Sequence, residues 1–136
     1  MAILVDSTVW IDYFNGVDNW QTDRLDELLG GGSLVTGDLI LAEVLQGFRE
    51  ERDFERARDA LLLLPVLAMG GVELAVDSAE SFRLLRRRGI TVRATVDCLI
   101  ATFCLRENLA LLHNDRDFDH FAGHLGLEVV GAAGRE

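Results

Sequence analysis

Five acidic residues have the setting expected of a metal site, because each one follows or interrupts an apolar segment: Asp6, Glu43, Asp97, Asp115 and Asp117. Carboxylates that cluster in a folded protein repel one another and take up protons unless a cation lies between them. Such a cluster is expected to bind a divalent ion, and an ion held this way can activate water for attack on phosphorus. The sequence therefore predicts a metal site for phosphodiester hydrolysis, with Asp6, Glu43, Asp97 and Asp115 as catalytic residues.

The ligand types favour magnesium or manganese over zinc. Carboxylate oxygens are hard ligands, and neither the cysteines nor the histidines form a convincing set for a softer metal. His120 and His124 have the spacing of a helical metal pair, but no nearby glutamate completes a zinc-protease motif. We expect one or two Mg²⁺ or Mn²⁺ ions per site, with Thr8 and Asn114 orienting the carboxylates or bound waters.

Each acid also has a purely structural interpretation. Asp6 could cap the helix that follows it, and Asp97 could form an ion pair with Arg93 one helical turn earlier. Glu43 taken alone could be a solvated helix residue at the border of an apolar face. The two acids near the C-terminus could be turn or cap residues. Their occurrence together in one chain favours the metal site.

The spacing of apolar residues predicts alternating strands and helices. Strands are expected at 2–5, 34–36, 110–112 and 127–130, and helices at 9–14, 19–29, 38–48, 53–64, 77–88, 95–107 and from 117 onward. Asp38 is expected to be the N-cap of the third helix. This alternation is typical of an α/β fold with a mostly parallel sheet covered on both faces. Ligands of such sheets bind outside the carboxyl ends of the strands, where Asp6 and Asp115 are expected to meet.

Length and composition indicate one domain, residues 1–136, without a membrane span. No apolar run approaches the roughly 20 residues that a spanning helix needs. No basic segment precedes the first apolar stretch, so the cytoplasm is the expected location. Cys98 and Cys104 fall on different faces of a helix and are expected to be small core residues.

The charged residues exclude several other activities. All 13 basic residues are arginine, which excludes a P-loop lysine, a Schiff-base lysine and the lysine of receiver-type phosphotransfer proteins. The net charge of −10 requires any contact with nucleic acid to be local. Arg83 and the run 86–88 could supply that contact, or could stabilise the end of a helix.

Four segments, taken in order, resemble the signatures of the PIN-domain ribonucleases, and more narrowly those of the VapC toxins of bacterial toxin–antitoxin pairs. They are residues 5–11, 43–47, 95–101 and 114–118, and the resemblance spans residues 2–130. It implies a three-layer α/β/α sandwich and Mg²⁺- or Mn²⁺-dependent endonucleolytic cleavage of RNA. It also implies a homodimer and inhibition by a small VapB-type antitoxin.

By matching position, the resemblance assigns the acidic site to Asp6, Glu43, Asp97 and Asp115, with Asp117 as a fifth member and Thr8 as the hydroxyl after the first aspartate. The order Ser7-Thr8 is the reverse of the family's usual order, although the hydroxyl is retained. Two alternatives stay open: a non-enzymatic acidic module that binds a basic partner, and a PIN-like nuclease outside a toxin–antitoxin pair. The acids alone do not exclude DNA as the substrate.

Overall fold

The computed structural model describes residues 1–132, so residues 133–136 of the predicted domain lie outside the described residues. Four strands and seven helices follow one another in the described part. They are β1 (Ile3–Val5), α1 (Ser7–Phe14), α2 (Trp20–Leu28), β2 (Leu34–Gly37), α3 (Asp38–Leu45), α4 (Glu51–Leu61), β3 (Val66–Leu67), α5 (Val72–Arg87), α6 (Thr95–Glu107), β4 (Ala110–Leu112) and α7 (Asp117–Leu125).

The strands form one parallel sheet in the order β3-β2-β1-β4. Strand β1 is central, and its Ile3 pairs with Leu34 on one side and Ala110 on the other. Helix α1 packs on α2 and α3, and α3 packs on α4, whereas α6 packs on α5 and α7. The predicted α/β/α sandwich with a mostly parallel sheet is confirmed.

Local sequence signals set most of the helix ends. Asp6 caps α1 by accepting from the backbone N–H of Thr8, and Asn19 with Thr22 forms a capping box at the start of α2. Asn108 ends α6 in the left-handed region at φ 55°, and Gly126 ends α7 at φ 77°. The loops after β1 and β4 lie on the same edge of the sheet because the two strands pair in parallel.

Two parts of the predicted sheet are wrong. Residues 127–130 form only an isolated bridge between Val129 and Leu111 instead of a strand. Just two backbone hydrogen bonds, from Leu111 to Glu128 and from Val130 to Leu111, join this segment to β4. Strand β3 was not predicted, because two residues directly after Pro65 are too short to show a periodicity.

Three predicted helix boundaries also need correction. Helix α5 begins at Val72 after Gly71 instead of at 77 or 78, because the buried Leu74 extends the apolar face by a further turn. Helix α3 ends at Leu45 and α4 covers Glu51–Leu61. Asp38 is the first residue of α3 and not its N-cap, since its side chain accepts from the backbone N–H groups of Leu39 and Met69.

The core lies on both faces of β1 and β4. Leu4, Leu111 and Leu112 are fully buried in the strands, and Phe118 and Phe121 of α7 pack with them. Each of these side chains removes enough apolar surface from water to contribute roughly 1.5–3 kcal/mol to folding. This packing fixes the two loops that carry Asp6 and Asp115.

The predicted role of the cysteines as core residues is confirmed. Cys98 and Cys104 are buried and free, and the Sγ of Cys98 donates to the carbonyl of Ser78. Burial raises the pKa of Cys104 to about 12, which keeps its thiol protonated and unreactive. None of the helices within residues 1–132 is both long and apolar enough to cross a membrane.

Gly37, at the end of β2, is expected to be intolerant of a side chain. An added Cβ would collide with the buried side chain of Met69, which follows β3 next to the end of β2. We expect Gly37→Ala to lower the free energy of unfolding by about 1–3 kcal/mol in urea titrations. Gly123→Ala is the matched control, because nothing lies within 4 Å of the added Cβ in α7. Equal stability of the two variants would contradict this packing.

Candidate functional site

The carboxyl edge of the sheet brings together acids that are distant in sequence. Asp6 directly follows β1, and its backbone N–H donates to the carbonyl of Leu112 at the end of β4 at 2.8 Å. Asp115 lies three residues beyond that point, and Asp97 lies in the first turn of α6. The segments after β1 and β4 therefore meet at this edge, and the charges of Asp6 and Asp115, which were expected to meet there, both act on Asp97.

Three of the five predicted acids lie close enough to share one ion. Asp97, Asp115 and Asp117 each offer a carboxylate oxygen, and these oxygens lie within 4.8 Å of one another. Asp6 and Glu43 lie outside this triad, but both of their charges act on Asp97. The acidic site is thus a close triad with two further acids beside it.

Asp97 carries the clearest electrostatic sign of crowding. The pKa of Asp97 is raised from 3.8 to about 7; burial is the largest cause, and the charges of Asp6, Asp115 and Glu43 contribute in the same direction. Near neutral pH this carboxyl group is therefore partly protonated in the metal-free protein. A divalent cation among these acids would reverse the repulsion and favour the ionised form.

Asp6 is buried with one oxygen unsatisfied. Its side chain is 1% exposed, and Oδ1 has no hydrogen-bond partner within the described residues. Oδ2 accepts from the hydroxyl of Thr8 at 2.7 Å and from the Thr8 backbone N–H at 3.2 Å. Burial raises the pKa of Asp6, the Thr8 hydrogen bonds lower it, and the charge of Glu43 raises it. A buried, unpaired carboxylate oxygen beside other acids fits a metal ligand.

Thr8 and Asn114 form a hydrogen-bonded chain behind Asp6. The Thr8 hydroxyl also accepts from the backbone N–H of Asn114 at 3.2 Å. The side-chain oxygen of Asn114 accepts from Gln21 at 3.1 Å, and Gln21 is itself buried. The Thr8 hydroxyl thus contacts a carboxylate of the site, and Asn114 is linked to Asp6 through Thr8. The role of both residues in orienting metal ligands or water stays a prediction. Gln21 was not predicted, since it lies in α2 and no local pattern distinguishes it.

Glu43 is held by Ser7. The hydroxyl of Ser7, which is 7% exposed, donates to Oε1 of Glu43 at 3.0 Å. Glu43 itself is half-buried on α3, as expected for a residue at the border of an apolar face. The reversed order Ser7-Thr8 therefore gives each hydroxyl its own carboxylate. The reversed order of Ser7 and Thr8 was the feature of the sequence that distinguished Ser7.

Arg93 does not form the ion pair with Asp97 that was considered as an alternative. Its Nε donates to Oδ2 of Asp117 at 3.2 Å, and its Nη2 donates to Oδ1 of Asp115 at 3.4 Å. The hydrogen bond and charge of Asp117 raise the pKa of Arg93. Helical spacing indicated the nearest acid in sequence, whereas the loop after β4 supplies closer ones.

The histidines lie outside the acidic triad. The Nδ1 of His113 accepts from the backbone N–H of Asp115 at 3.2 Å, and its ring packs on Phe118. Burial lowers the pKa of His113, which favours the neutral ring that this contact requires. His124 contacts Arg88 at 3.1 Å, which agrees with a surface or packing role. His113 thus helps to position Asp115.

The arginine-rich end of α5 lies partly against neighbouring side chains. The guanidinium of Arg86 stacks 5.6 Å from the ring centre of Phe82, and Arg88 binds α7 through His124. Arg83 and Arg87 are exposed. Contact with RNA by these arginines stays a prediction.

Comparison with known proteins agrees with this fold. The profile of the PIN domain family matches residues 3–124. Ribonuclease VapC11 of Mycobacterium tuberculosis is 30% identical over 133 residues, covering 94% of this chain and 97% of that protein. Among solved structures, VapBC2 of Rickettsia felis, bound to a promoter DNA fragment, superimposes with a TM-score of 0.75 at 18% identity, covering 96% of this chain and 98% of that chain.

A second solved structure, VapBC-1 of Haemophilus influenzae, has a TM-score of 0.68 at 20% identity and covers 96% of this chain and 97% of that chain. At these identities the solved structures establish the fold, and the family is established by the sequence matches over nearly the whole chain. The chain therefore belongs to the PIN domain family and, within it, to the VapC group.

Proposed function

We propose that the protein is a metal-dependent endoribonuclease and the toxin of a VapBC-type pair. The observation that carries this proposal is the triad of Asp97, Asp115 and Asp117 at the carboxyl edge of the sheet, with Asp6 and Glu43 beside it. The 30% identity to a ribonuclease over 133 residues supports RNA as the substrate. The oxygen-only ligand set supports Mg²⁺ or Mn²⁺, one or two ions per site.

Each acid has a role that follows from its surroundings. Asp97, Asp115 and Asp117 would hold a divalent ion through their adjacent carboxylates, and the unsatisfied Oδ1 of Asp6 offers a further ligand. Glu43, whose Oε1 accepts a hydrogen bond from Ser7, would complete the ligand set. When bound, the ion supplies a water of lowered pKa and offsets negative charge on the scissile phosphate.

The remaining residues of the site orient ligands and contact substrate. Thr8 fixes the Oδ2 of Asp6, and the buried Oδ1, which has no hydrogen-bond partner within the described residues, is left as the oxygen that would bind the ion. Asn114, held by Gln21, ties the loop after β4 to Thr8. Because the chain carries a charge of −10, attraction of RNA depends on the bound cation and on local arginines.

A small VapB-type antitoxin is the partner that we propose for this chain. Solved relatives of the same fold are VapBC complexes, which supports such a partner. An apolar groove of about 550 Å³, lined in part by Trp10, Phe14 and Leu63, offers a surface for an apolar segment of that partner. We also propose a homodimer located in the cytoplasm. An adjacent reading frame for a small antitoxin would support this cellular role.

The proposed activity is tested by incubating purified protein with RNA and with DNA of the same sequence. We expect cleavage of RNA in Mg²⁺ or Mn²⁺, no cleavage after chelation with EDTA, and recovery when the ion is restored. Cleavage that continues in EDTA would contradict the metal mechanism. Cleavage of DNA alone would leave a PIN-type nuclease but remove RNA as the substrate.

A further inference from the structure

The guanidinium of Arg93 lies where a cation is expected, beside two acids of the triad. We propose that Arg93 is an internal counter-ion that neutralises Asp115 and Asp117 in the metal-free protein and competes with the divalent ion for them. Metal entry then exchanges one cation for another at these carboxylates. This inference rests on the proposed metal site and adds a residue that tunes the affinity of that site.

The geometry of Arg93 suits an exchangeable contact. Its side chain is 69% exposed, whereas those of Asp115 and Asp117 are 21% and 9% exposed. The two ion pairs measure 3.4 and 3.2 Å, and they are made by different nitrogens of one guanidinium. Ion pairs with an exposed arginine are weak, because water solvates the freed guanidinium well. The guanidinium can therefore leave while the acids stay in place.

The acids keep their orientation without the guanidinium. The backbone N–H of Arg93 donates to Oδ2 of Asp117 at 3.2 Å, and the backbone N–H of Asp117 donates to Oδ1 of Asp115 at 2.9 Å. The backbone of Asp115 is itself held by Phe118 and His113. Backbone groups thus position both carboxylates, and the side chain of Arg93 contributes charge.

Arg116 provides a matched control for that charge. It lies between Asp115 and Asp117 in sequence and is exposed. Within residues 1–132, no hydrogen bond or ion pair joins its side chain to either carboxylate. Arg116→Ala removes the same charge from the loop between β4 and α7, next to both acids in sequence, without removing a direct contact.

The test measures Mn²⁺ affinity from the loss of the electron paramagnetic resonance signal of free Mn²⁺. We expect Arg93→Ala to bind Mn²⁺ roughly threefold to tenfold more tightly than the wild type, because a competing positive charge is removed. Arg116→Ala is expected to change the affinity less than about twofold. Equal or weaker binding by Arg93→Ala would overturn the inference about Arg93 and leave the proposed metal site in place. Failure of the wild type to bind Mn²⁺ would instead overturn the proposed metal site.

A second measurement reports the exchange directly in the wild-type protein. The Nε–H resonance of Arg93, assigned by its loss in Arg93→Ala, is followed by nuclear magnetic resonance during titration with Mg²⁺. We expect this resonance to shift as the site fills, since the hydrogen bond from Nε to Asp117 is lost. A resonance that stays unchanged at saturating Mg²⁺ would show that Arg93 remains bound and would overturn the inference.

Discussion

Asp97→Asn is expected to lower RNA cleavage by at least about 100-fold while leaving the fold intact. Asp97 belongs to the close triad, and it also feels the charges of Asp6 and Glu43. Asparagine has nearly the same size, but it removes one negative charge and replaces one oxygen ligand with an amide nitrogen that binds no cation. The loss should therefore be chemical and not structural.

The control for this substitution is Asp26→Asn, which makes the same chemical change on the exposed face of α2. We expect Asp26→Asn to cleave RNA at the wild-type rate. Circular dichroism should show the same helix content for both variants and the wild type. Full activity in Asp97→Asn would contradict the assignment of this residue to the site.

Asp6→Asn is expected to have opposite effects on activity and stability. Burial raises the pKa of Asp6 above its usual 3.8, so the ionised carboxylate is less favourable in the folded protein than in the unfolded chain. Asparagine retains an oxygen for capping α1 but has no charge to bury. In the absence of metal near pH 7.5, we expect a gain of about 1–3 kcal/mol in the free energy of unfolding.

The same substitution should remove a metal ligand, so cleavage is expected to fall by at least about tenfold as the protein becomes more stable. The gain in stability should shrink as the pH falls through the raised pKa of Asp6, and it should vanish below the usual value of 3.8, where the carboxyl is protonated in both states. Thermal unfolding of the wild type, Asp6→Asn and the exposed control Asp18→Asn measures this effect. A lower melting temperature for Asp6→Asn than for the wild type at neutral pH would contradict the argument.

The expected gain in the free energy of unfolding of Asp6→Asn equals the stability that the wild-type protein loses by burying the ionised Asp6. A carboxylate buried without a partner for Oδ1 is unfavourable unless a cation is present. Burial and the neighbouring charges together raise the pKa of Asp97 to about 7, which adds to the cost of keeping these acids ionised without a metal. Bound metal should therefore stabilise the protein as well as support catalysis, by about 2.7 kcal/mol at a concentration 100 times the dissociation constant.

The acidic site was predictable because strand and helix ends leave local signals. Asp6 follows a buried strand and Asp115 follows another, and the parallel sheet brings their carboxyl ends to one edge. Asp97 interrupts an apolar helix, so the sequence alone indicates that it is a candidate site residue. The position of these three acids follows from the pattern of apolar residues and from the topology of parallel sheets.

The partners of those acids were not predictable from local pattern. Arg93 lies four residues before Asp97 in sequence and precedes α6, but it binds acids 22 and 24 residues away, because the segment after β4 approaches it more closely. Gln21 and Ser7 act through contacts 93 and 36 residues distant. Such contacts depend on how the layers pack, which a single sequence does not encode in any short segment.

The same dependence on tertiary contacts explains why two predictions about the sheet were wrong. Strand β3 has only two residues, and its pairing with Thr36 and Gly37 is set by tertiary structure. The segment near Val129 has strand-like composition, yet only one bridge to Leu111 forms. Short elements at a sheet edge depend on their neighbours more than on their own residues.

Calorimetric titration with Mn²⁺ tests most directly whether the acids at the carboxyl edge of the sheet form a metal site. If Asp97, Asp115 and Asp117 share an ion as proposed, the wild type should bind Mn²⁺ with saturable heat and Asp97→Asn should lose that binding at the same concentrations. Undetectable binding by the wild type, or equal binding by both proteins, would contradict the account and favour an acidic module that acts without a metal.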